Sequence, residues 1–197
     1  MALEIDPRAR ALIFDMDGTI ADTMPAHFHA WQEVLRAHGF ELTEELFFDR
    51  LGGRTSSAIV AYINEHFGTS LDAEVIAREK DDAYLTHLDE LRPHEPVAEI
   101  ARGAHGRFPL GLATNEQRWI ASRVIETIGF AGLFEALVTG DDVTHHKPHP
   151  ETFLRCAELL GVEPARCQVF EDSASGMEAA RRAGMIVTDV TEVTVRV

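Results

Sequence analysis

The chain has 197 residues, a formal net charge of −15 and a sequence pI near 5.0. This length accommodates one ordinary domain together with a smaller inserted one. The acidic balance argues against a nucleic-acid-binding protein, because affinity for phosphate backbones comes mainly from a basic surface.

The cellular location is predicted from composition. No apolar stretch approaches the ~20 residues of a membrane span, and the N-terminal segment MALEIDPRAR lacks the basic-then-apolar order of a signal peptide. Cys156 and Cys167 lie in segments that read as a helix and a strand entry, so reduced, packed thiols are expected. These features predict a cytoplasmic protein with no membrane partner.

The first predicted element is a strand that ends in two carboxylates. Residues 11–14 form a short continuous apolar run, which is typical of a buried parallel strand, and Asp15 and Asp17 follow it directly. Open α/β sheets bind ligands just beyond the carboxyl ends of their strands. The segment therefore indicates a reaction centre, with an ordinary acidic turn as the alternative.

Residues 21–92 are predicted to form an inserted, all-helical cap domain. Apolar residues at helical spacing predict four helices, over 25–38, 43–51, 56–68 and 70–91. Candidate N-caps for the last three are Thr43, Ser56 or Ser57, and Ser70. No strand pattern interrupts this segment, whereas strands and helices alternate on both sides of it.

The flanking segments, 1–20 and 93–197, are predicted to form the core. Further strands are expected at 109–113, 136–139, 168–170 and 185–188, with helices between them. Such alternation implies a parallel sheet that is covered on both faces. The predicted fold class is α/β, a Rossmann-like doubly wound sheet with an inserted helical cap.

Polar residues follow the predicted strands at one edge of this sheet: Asp15, Asp17, Thr114, Lys147, Glu171 and Asp172. The carboxylates form a hard-oxygen site for Mg²⁺, while the lysine and the hydroxyl remain to hold phosphate oxygens. One carboxylate can attack phosphorus while a second acid protonates the leaving oxygen and later deprotonates water. The pattern predicts Mg²⁺-dependent phosphoryl transfer to a carboxylate.

Four ordered motifs resemble those of the haloacid dehalogenase superfamily. They are DMDGT at 15–19, Thr114 after an apolar strand, Lys147 in HHKPHP, and EDSASGMEAARRAGM at 171–185. The chain is most similar to the β-phosphoglucomutase-like branch, in which sugar phosphatases and mutases carry a helical cap just after the first motif. KPHPETFLRCAELLGV and the fourth motif particularly resemble the bacterial fructose-1-phosphate phosphatase group.

The resemblance implies roles for the polar residues. Asp15 would be the nucleophile that forms an aspartyl-phosphate, and Asp17 the general acid and base. Thr114 would hydrogen-bond the transferring phosphoryl group, and Lys147 would neutralise its charge and orient Asp15. A surface lysine that caps a helix is the alternative reading of Lys147.

The same resemblance implies a ligand set for Mg²⁺. Asp15, Asp172 and the backbone carbonyl of Asp17 would hold the ion. Glu171 would be either a direct or an outer-sphere ligand, and the sequence leaves this choice open.

Four residues are candidates for substrate binding. His27 stands at the spacing of a cap histidine in the mutase branch, whereas Arg54 is displaced by two positions from the cap arginine that binds the distal phosphate. Lys80 matches a cap lysine that faces the active site, with a solvated, salt-bridging lysine as the alternative. Asn115 either helps to hold phosphate or caps the following helix.

The remaining histidines considered as ligands are His29, His145, His146 and His149. They are interpreted as surface loop histidines, because no strict metal-ligand spacing is repeated.

The leading functional hypothesis is a Mg²⁺-dependent phosphatase of small sugar phosphates, such as fructose 1-phosphate, that acts as a monomer or weak homodimer. A β-phosphoglucomutase-type mutase is the alternative, although such mutases often have valine where Thr19 stands. The third hypothesis is a catalytically silent sensor of phosphorylated ligands.

Overall fold

The computed structural model describes residues 3–52 and 54–194. The chain divides into two compact units: a core unit, which runs up to Asp22 and resumes at Arg92, and a helical unit, Thr23–Leu91.

The described residues contain two sets of regular elements. The strands are β1 (Ala11–Phe14), β2 (Ala21–Asp22), β3 (Arg92–Pro93), β4 (Leu110–Ala113), β5 (Ala136–Val138), β6 (Cys167–Glu171) and β7 (Ile186–Asp189). The α-helices are α1 (Met24–Ala37), α2 (Glu44–Leu46), α3 (Ser56–Phe67), α4 (Ala73–Thr86), α5 (Glu95–Ala104), α6 (Arg118–Thr127), α7 (Glu151–Leu160) and α8 (Ala174–Arg182). A π-helical turn, Phe47–Leu51, extends α2, and short 3₁₀ turns cover Leu88–Glu90, Gly140–Asp142 and Pro164–Arg166.

The core unit is built on a five-stranded sheet in the order β5-β4-β1-β6-β7, and all neighbouring strands pair in parallel. Every residue of β1, β4 and β6 is buried. Because successive side chains of a strand point to opposite faces, both faces of the central sheet are covered. The predicted α/β class with a parallel sheet is confirmed.

One buried cluster of the core includes residues of α7. Phe153 and Cys156 of this helix are fully buried and belong to the same cluster as Ile13 of β1 and Val169 of β6. A Cβ at Gly111 of β4 would collide with the Cys156 sulfur, so this position leaves room for the helix. Cys156 and its neighbour Cys167 are free thiols in the interior, as predicted.

The boundaries of the units differ from those predicted. Ala21, Asp22 and Arg92 belong to the core unit rather than to the helical one. The physical reason is a short antiparallel ladder, in which Ala21 pairs with Pro93 and Asp22 with Arg92. Two-residue strands carry too little sequence pattern to be recognised before their partner is known.

The helical unit contains the four predicted helices with shifted ends. Thr43 caps α2, but Thr55 rather than a serine caps α3, and Asp72 rather than Ser70 caps α4. In each case the side chain lies where it can accept a hydrogen bond from the first turn of the helix. The predicted helix over 70–91 ends at Thr86, and a 3₁₀ turn follows.

Among the described residues, no helix combines the length and the apolar character that crossing a membrane requires.

Candidate active site

The polar residues at the ends of β1, β4 and β6 come together because these three strands are neighbours in the sheet. Asp15 follows β1, Thr114 follows β4, and Glu171 closes β6, with Asp172 directly after it. The strand ends lie at one edge, where open α/β sheets bind ligands.

Lys147 links these strand ends. Its Nζ donates to Asp15 Oδ1 at 2.5 Å, to Glu171 Oε2 at 2.9 Å and to the carbonyl oxygen of Ala113 at 3.0 Å. Its side chain is 3% exposed. The reading of Lys147 as a surface lysine is therefore wrong.

The electrostatics of the cluster favour a cationic partner. Burial raises the pKa of Asp15 well above its usual value, and the neighbouring Glu171 charge adds to this, against the attraction of Lys147. Burial and Glu171 likewise raise the pKa of Asp172 to about 6. Burial alone would lower the pKa of Lys147, but Asp15 and Glu171 outweigh it and raise that pKa. The cluster thus holds three carboxylates and one ammonium group, which contacts Asp15 and Glu171.

The donor set fits a hard divalent cation. Asp15, Glu171 and Asp172 each offer a carboxylate oxygen, and these atoms all lie within 4.8 Å of one another. Carboxylate oxygens are the ligands that Mg²⁺ prefers, and the excess negative charge would be offset by it.

Both carboxylate oxygens of Glu171 accept hydrogen bonds from protein groups. Its Oε2 accepts from Lys147, and its Oε1 accepts from the backbone N of Ser173 at 3.0 Å and from the Ser173 hydroxyl at 2.8 Å. Both oxygens therefore have protein donors, which favours an outer-sphere position for Glu171 over direct ligation.

Two glycines let the acids approach. Gly18 has φ +79, and a Cβ there would collide with the Asp172 carboxylate. A Cβ at Gly176, in the first turn of α8, would overlap the Glu171 carboxylate. Only glycine combines the positive φ at position 18 with the space that Asp172 needs.

Sequence reasoning missed several supporting contacts. The Thr19 hydroxyl donates to Asp172 Oδ1 at 2.9 Å, and Ser173 both holds Glu171 and caps α8. The sequence signal for these contacts was a glycine and a hydroxyl residue a few positions after the acids, in DGT and in EDSASG.

At the end of β4, the role of Asn115 differs from one of the two predicted for it. Asn115 is exposed and its Oδ1 accepts from the backbone N of Lys147 at 3.1 Å. The residue at the N-cap of α6 is Gln117, so the interpretation of Asn115 as that cap is wrong. Thr114 is 2% exposed, and its hydroxyl accepts from the backbone N of Glu116.

Asp17 lies in a tight loop between β1 and β2. It forms an isolated bridge with Ala21, while the backbone N of Gly18 donates to the carbonyl oxygen of Ala21 at 2.9 Å. The side chain is half-buried, two residues beyond Asp15.

The other three candidate substrate-binding residues belong to the helical unit. The His27 ring stacks on Tyr84, with ring centroids 4.3 Å apart. Lys80 is 4% exposed, so the alternative of a solvated lysine is wrong, but its Nζ does lie 3.4 Å from Asp81 Oδ1, as the salt-bridging part of that alternative expected. The same Nζ lies 5.0 Å from the centroid of the Tyr84 ring. Arg54 is exposed and lies over Tyr62 instead, at 5.4 Å.

The histidines set aside as surface loop residues fall into two groups. His145, His146 and His149 are exposed and lie in the loop that precedes α7, as predicted. His29 instead lies on α1, half-buried, with its Nδ1 2.6 Å from Glu90 Oε2. The loop interpretation was wrong for His29, which falls inside the helix predicted over 25–38.

Comparison with known proteins shows the family of the chain. Residues 12–190 match the family model described as haloacid dehalogenase-like hydrolase. The chain is 41% identical to the fructose-1-phosphate phosphatase YqaB of Escherichia coli over 184 residues. This alignment covers 93% of this chain and 97% of that protein.

Two further relatives extend the comparison. The N-acetylmuramic acid 6-phosphate phosphatase of Pseudomonas aeruginosa is 32% identical, over 90% of this chain and 79% of that protein. A crystal structure of β-phosphoglucomutase from Clostridium difficile has a TM-score of 0.74 and 26% identity, over 92% of this chain and 84% of that one. With the ordered motifs and their meeting at the strand ends, these matches establish that the chain belongs to the haloacid dehalogenase-like hydrolases.

Proposed function

We propose that this protein is a Mg²⁺-dependent phosphatase that hydrolyses small sugar phosphates through a phosphorylated Asp15. The observation that carries the proposal is the buried Lys147 ammonium group, which bridges Asp15 and Glu171 beside Asp172. The names of the relatives support a phosphoric monoester hydrolase, since they include phosphatases of fructose 1-phosphate and N-acetylmuramic acid 6-phosphate.

In the first half-reaction, the Asp15 carboxylate attacks phosphorus, and the bond between phosphorus and the sugar oxygen breaks. Asp17 donates its proton to that oxygen, so that the sugar leaves as a neutral alcohol. Lys147 orients Asp15 through the bond to Oδ1 and adds positive charge next to the transferring group. Thr114 would donate its hydroxyl proton to a phosphoryl oxygen.

In the second half-reaction, the ionised Asp17 takes a proton from water, and the resulting hydroxide attacks the phosphorus of phospho-Asp15. Inorganic phosphate leaves and the Asp15 carboxylate returns. Asp17 thus serves first as acid and then as base, which requires that it regain its proton in each cycle.

Asp15, Asp172 and the Asp17 backbone carbonyl would hold Mg²⁺, with Glu171 behind them as an outer-sphere partner. The ion supplies positive charge that offsets the phosphoryl oxygens and the excess of carboxylates. Phosphoryl transfer depends mainly on such positioning and charge compensation.

His27 and Lys80 are proposed as substrate-binding residues of the helical unit, since both contact the Tyr84 ring there. Arg54 is the third candidate of that unit, and Asn115 of the core unit is the fourth. In a chain with a net charge of −15, an anionic substrate needs local cations such as Lys80 and Arg54. We expect fructose 1-phosphate and other hexose phosphates among the substrates.

Replacing the nucleophile tests the proposal. We expect Asp15→Asn to lower kcat for phosphate release by on the order of 10³-fold or more, because an amide cannot form the acyl-phosphate. The measurement is release of inorganic phosphate from fructose 1-phosphate with Mg²⁺. The control is Asp82→Asn, an exposed acid on α4, which should retain wild-type activity.

Three outcomes of a sugar-phosphate screen would contradict parts of the proposal. Near-normal turnover by the Asp15→Asn variant would exclude Asp15 as the nucleophile. Conversion of β-glucose 1-phosphate to glucose 6-phosphate without phosphate release would identify a mutase. No turnover of any phosphomonoester with Mg²⁺ would favour a sensor.

A further inference from the structure

A second cluster of possible metal ligands lies entirely within the helical unit. His29 lies on α1, while His87 and Glu90 follow α4. Both imidazoles lie within hydrogen-bond distance of one carboxylate. His29 Nδ1 is 2.6 Å from Glu90 Oε2, and His87 Nδ1 is 2.8 Å from Glu90 Oε1. One ligand atom of each residue lies within 4.8 Å of the other two.

The cluster is partly shielded from solvent, and its His29, His87 and Glu90 side chains are 42%, 22% and 32% exposed. All three residues are half-buried. Beside them is an open pocket of about 490 Å³, lined by His29, Gln32, Glu33, Arg36, Ala37 and His87. Solvent and ions can therefore reach the two imidazoles from the pocket.

Glu33 supplies a supporting contact. Its Oε2 lies 3.4 Å from His87 Nε2, the ring nitrogen opposite the one that faces Glu90. In metal sites, a histidine usually donates its second N–H to a carboxylate, which orients the ring and increases its basicity. Here Glu33 would play that part and leave His87 Nδ1 for the metal.

The core unit has another histidine cluster, formed by His145, His149 and Glu151, that is less suited to a metal. Both of its histidines are exposed. Its carboxylate already accepts hydrogen bonds from the backbone N atoms of Thr144 and His145, at 2.9 and 3.0 Å. Glu90 has no such backbone donors among the hydrogen bonds seen in the described residues.

We propose that His29, His87 and Glu90 bind one Zn²⁺ ion. Two imidazole nitrogens and one carboxylate oxygen form a ligand set that zinc accepts, with a fourth position open to water from the pocket. The nitrogen ligands favour Zn²⁺ over Mg²⁺, which prefers oxygen donors alone. This site is independent of the proposed phosphatase chemistry.

The ion would cross-link the two ends of the helical unit. His29 is near its beginning and Glu90 near its end, while the unit spans Thr23–Leu91. A metal that binds the folded state and not the unfolded one raises stability by mass action. Zinc should therefore stabilise the helical unit against unfolding.

Calorimetric titration of the full chain with Zn²⁺ tests the proposal. His29→Ala and His87→Ala should each lose one equivalent of bound zinc relative to the wild type, whatever the acidic cluster of the core binds. The matched control, the double variant His145→Ala with His149→Ala, should retain that equivalent. Glu33→Gln should keep the site but weaken it by about 10- to 100-fold.

Thermal unfolding provides a second readout. Zinc should raise the Tm of the wild type and of the control, and not that of His29→Ala. Should an alanine variant fail to fold, Glu90→Gln replaces it, because the amide keeps the side-chain shape and loses the charge. Equal zinc stoichiometry and equal Tm shifts in the wild type and the ligand variants would overturn the proposal.

Discussion

The excess of negative charge at the strand ends affects the pKa of Asp172. Burial and the Glu171 charge raise its pKa to about 6, although the Thr19 hydroxyl donates to it. An acid whose pKa is raised on folding is more easily protonated in the native state. The metal-free protein therefore loses stability as the pH rises from the unfolded pKa of 3.8 through about 6.

We predict that Asp172→Asn stabilises the metal-free protein at pH 7.5, by up to about 3 kcal/mol, because it removes an unfavourable buried charge. The gain should vanish near pH 4, where the wild-type carboxyl is protonated. Urea unfolding in EDTA at both pH values measures it. A gain that is equal at the two pH values would contradict the assignment.

Asp189 serves as a control of opposite sign. The Thr191 hydroxyl and backbone N donate to its carboxylate and lower its pKa. Its contribution to stability is present above the unfolded pKa and lost as the pH falls through the lowered one. Asp189→Asn should therefore destabilise the protein at pH 7.5 and lose that effect at low pH.

At the level of elements, the start of α8 organises the acidic strand end. Ser173 caps this helix by accepting from the backbone N of Gly176, and its hydroxyl donates to Glu171. The same first turn comes close to the Glu171 carboxylate because position 176 has no side chain. The helix start and the end of β6 are thus packed as one structural feature.

Gly176→Ala should be destabilising by about 1–3 kcal/mol, because its Cβ would overlap the Glu171 carboxylate and force it to move. We also expect kcat to fall, since Glu171 holds Lys147. The measurements are urea unfolding and phosphate release.

The matched control is Gly103→Ala in α5, where a Cβ would meet no heavy atom within 4 Å. Alanine is the better helix former, so this change should stabilise the protein by up to about 1 kcal/mol and leave kcat unchanged. Equal effects of the two substitutions would mean that helix propensity, not the contact with Glu171, decides the outcome.

At the level of the whole molecule, the dominant feature is the net charge of −15. Self-repulsion of this size opposes the compact state, and dissolved salt screens it.

We predict that NaCl raises the Tm at pH 7.5 in the concentration range where the Debye length falls from about 30 to 8 Å. The effect should be small near pH 5.0, the sequence pI, where net repulsion vanishes. Thermal unfolding at the two pH values, with EDTA present, measures it. A salt response that is independent of pH would indicate a specific ion site instead.

Local sequence patterns predicted where the central strands lie along the chain and which polar residues stand at their ends. Continuous apolar runs predicted the central strands, and Asp15, Thr114 and Glu171 stand at their ends as the parallel topology required. The family predicted from the motifs is confirmed by the match over residues 12–190. These features depend on hydrophobic period and strand direction, which neighbouring residues encode.

Tertiary structure alone decided which side chains touch. The contact of Lys147 with Asp15, across 132 positions of sequence, was expected only through the family resemblance, whereas the contact of His29 with Glu90, across 61 positions, was not expected at all. The engagement of Glu171 by Ser173 and the pairing of β2 with β3 were equally hidden. Such contacts depend on how separate elements pack and in which register, whereas a local pattern reports only the conformation and the buried face of its own segment.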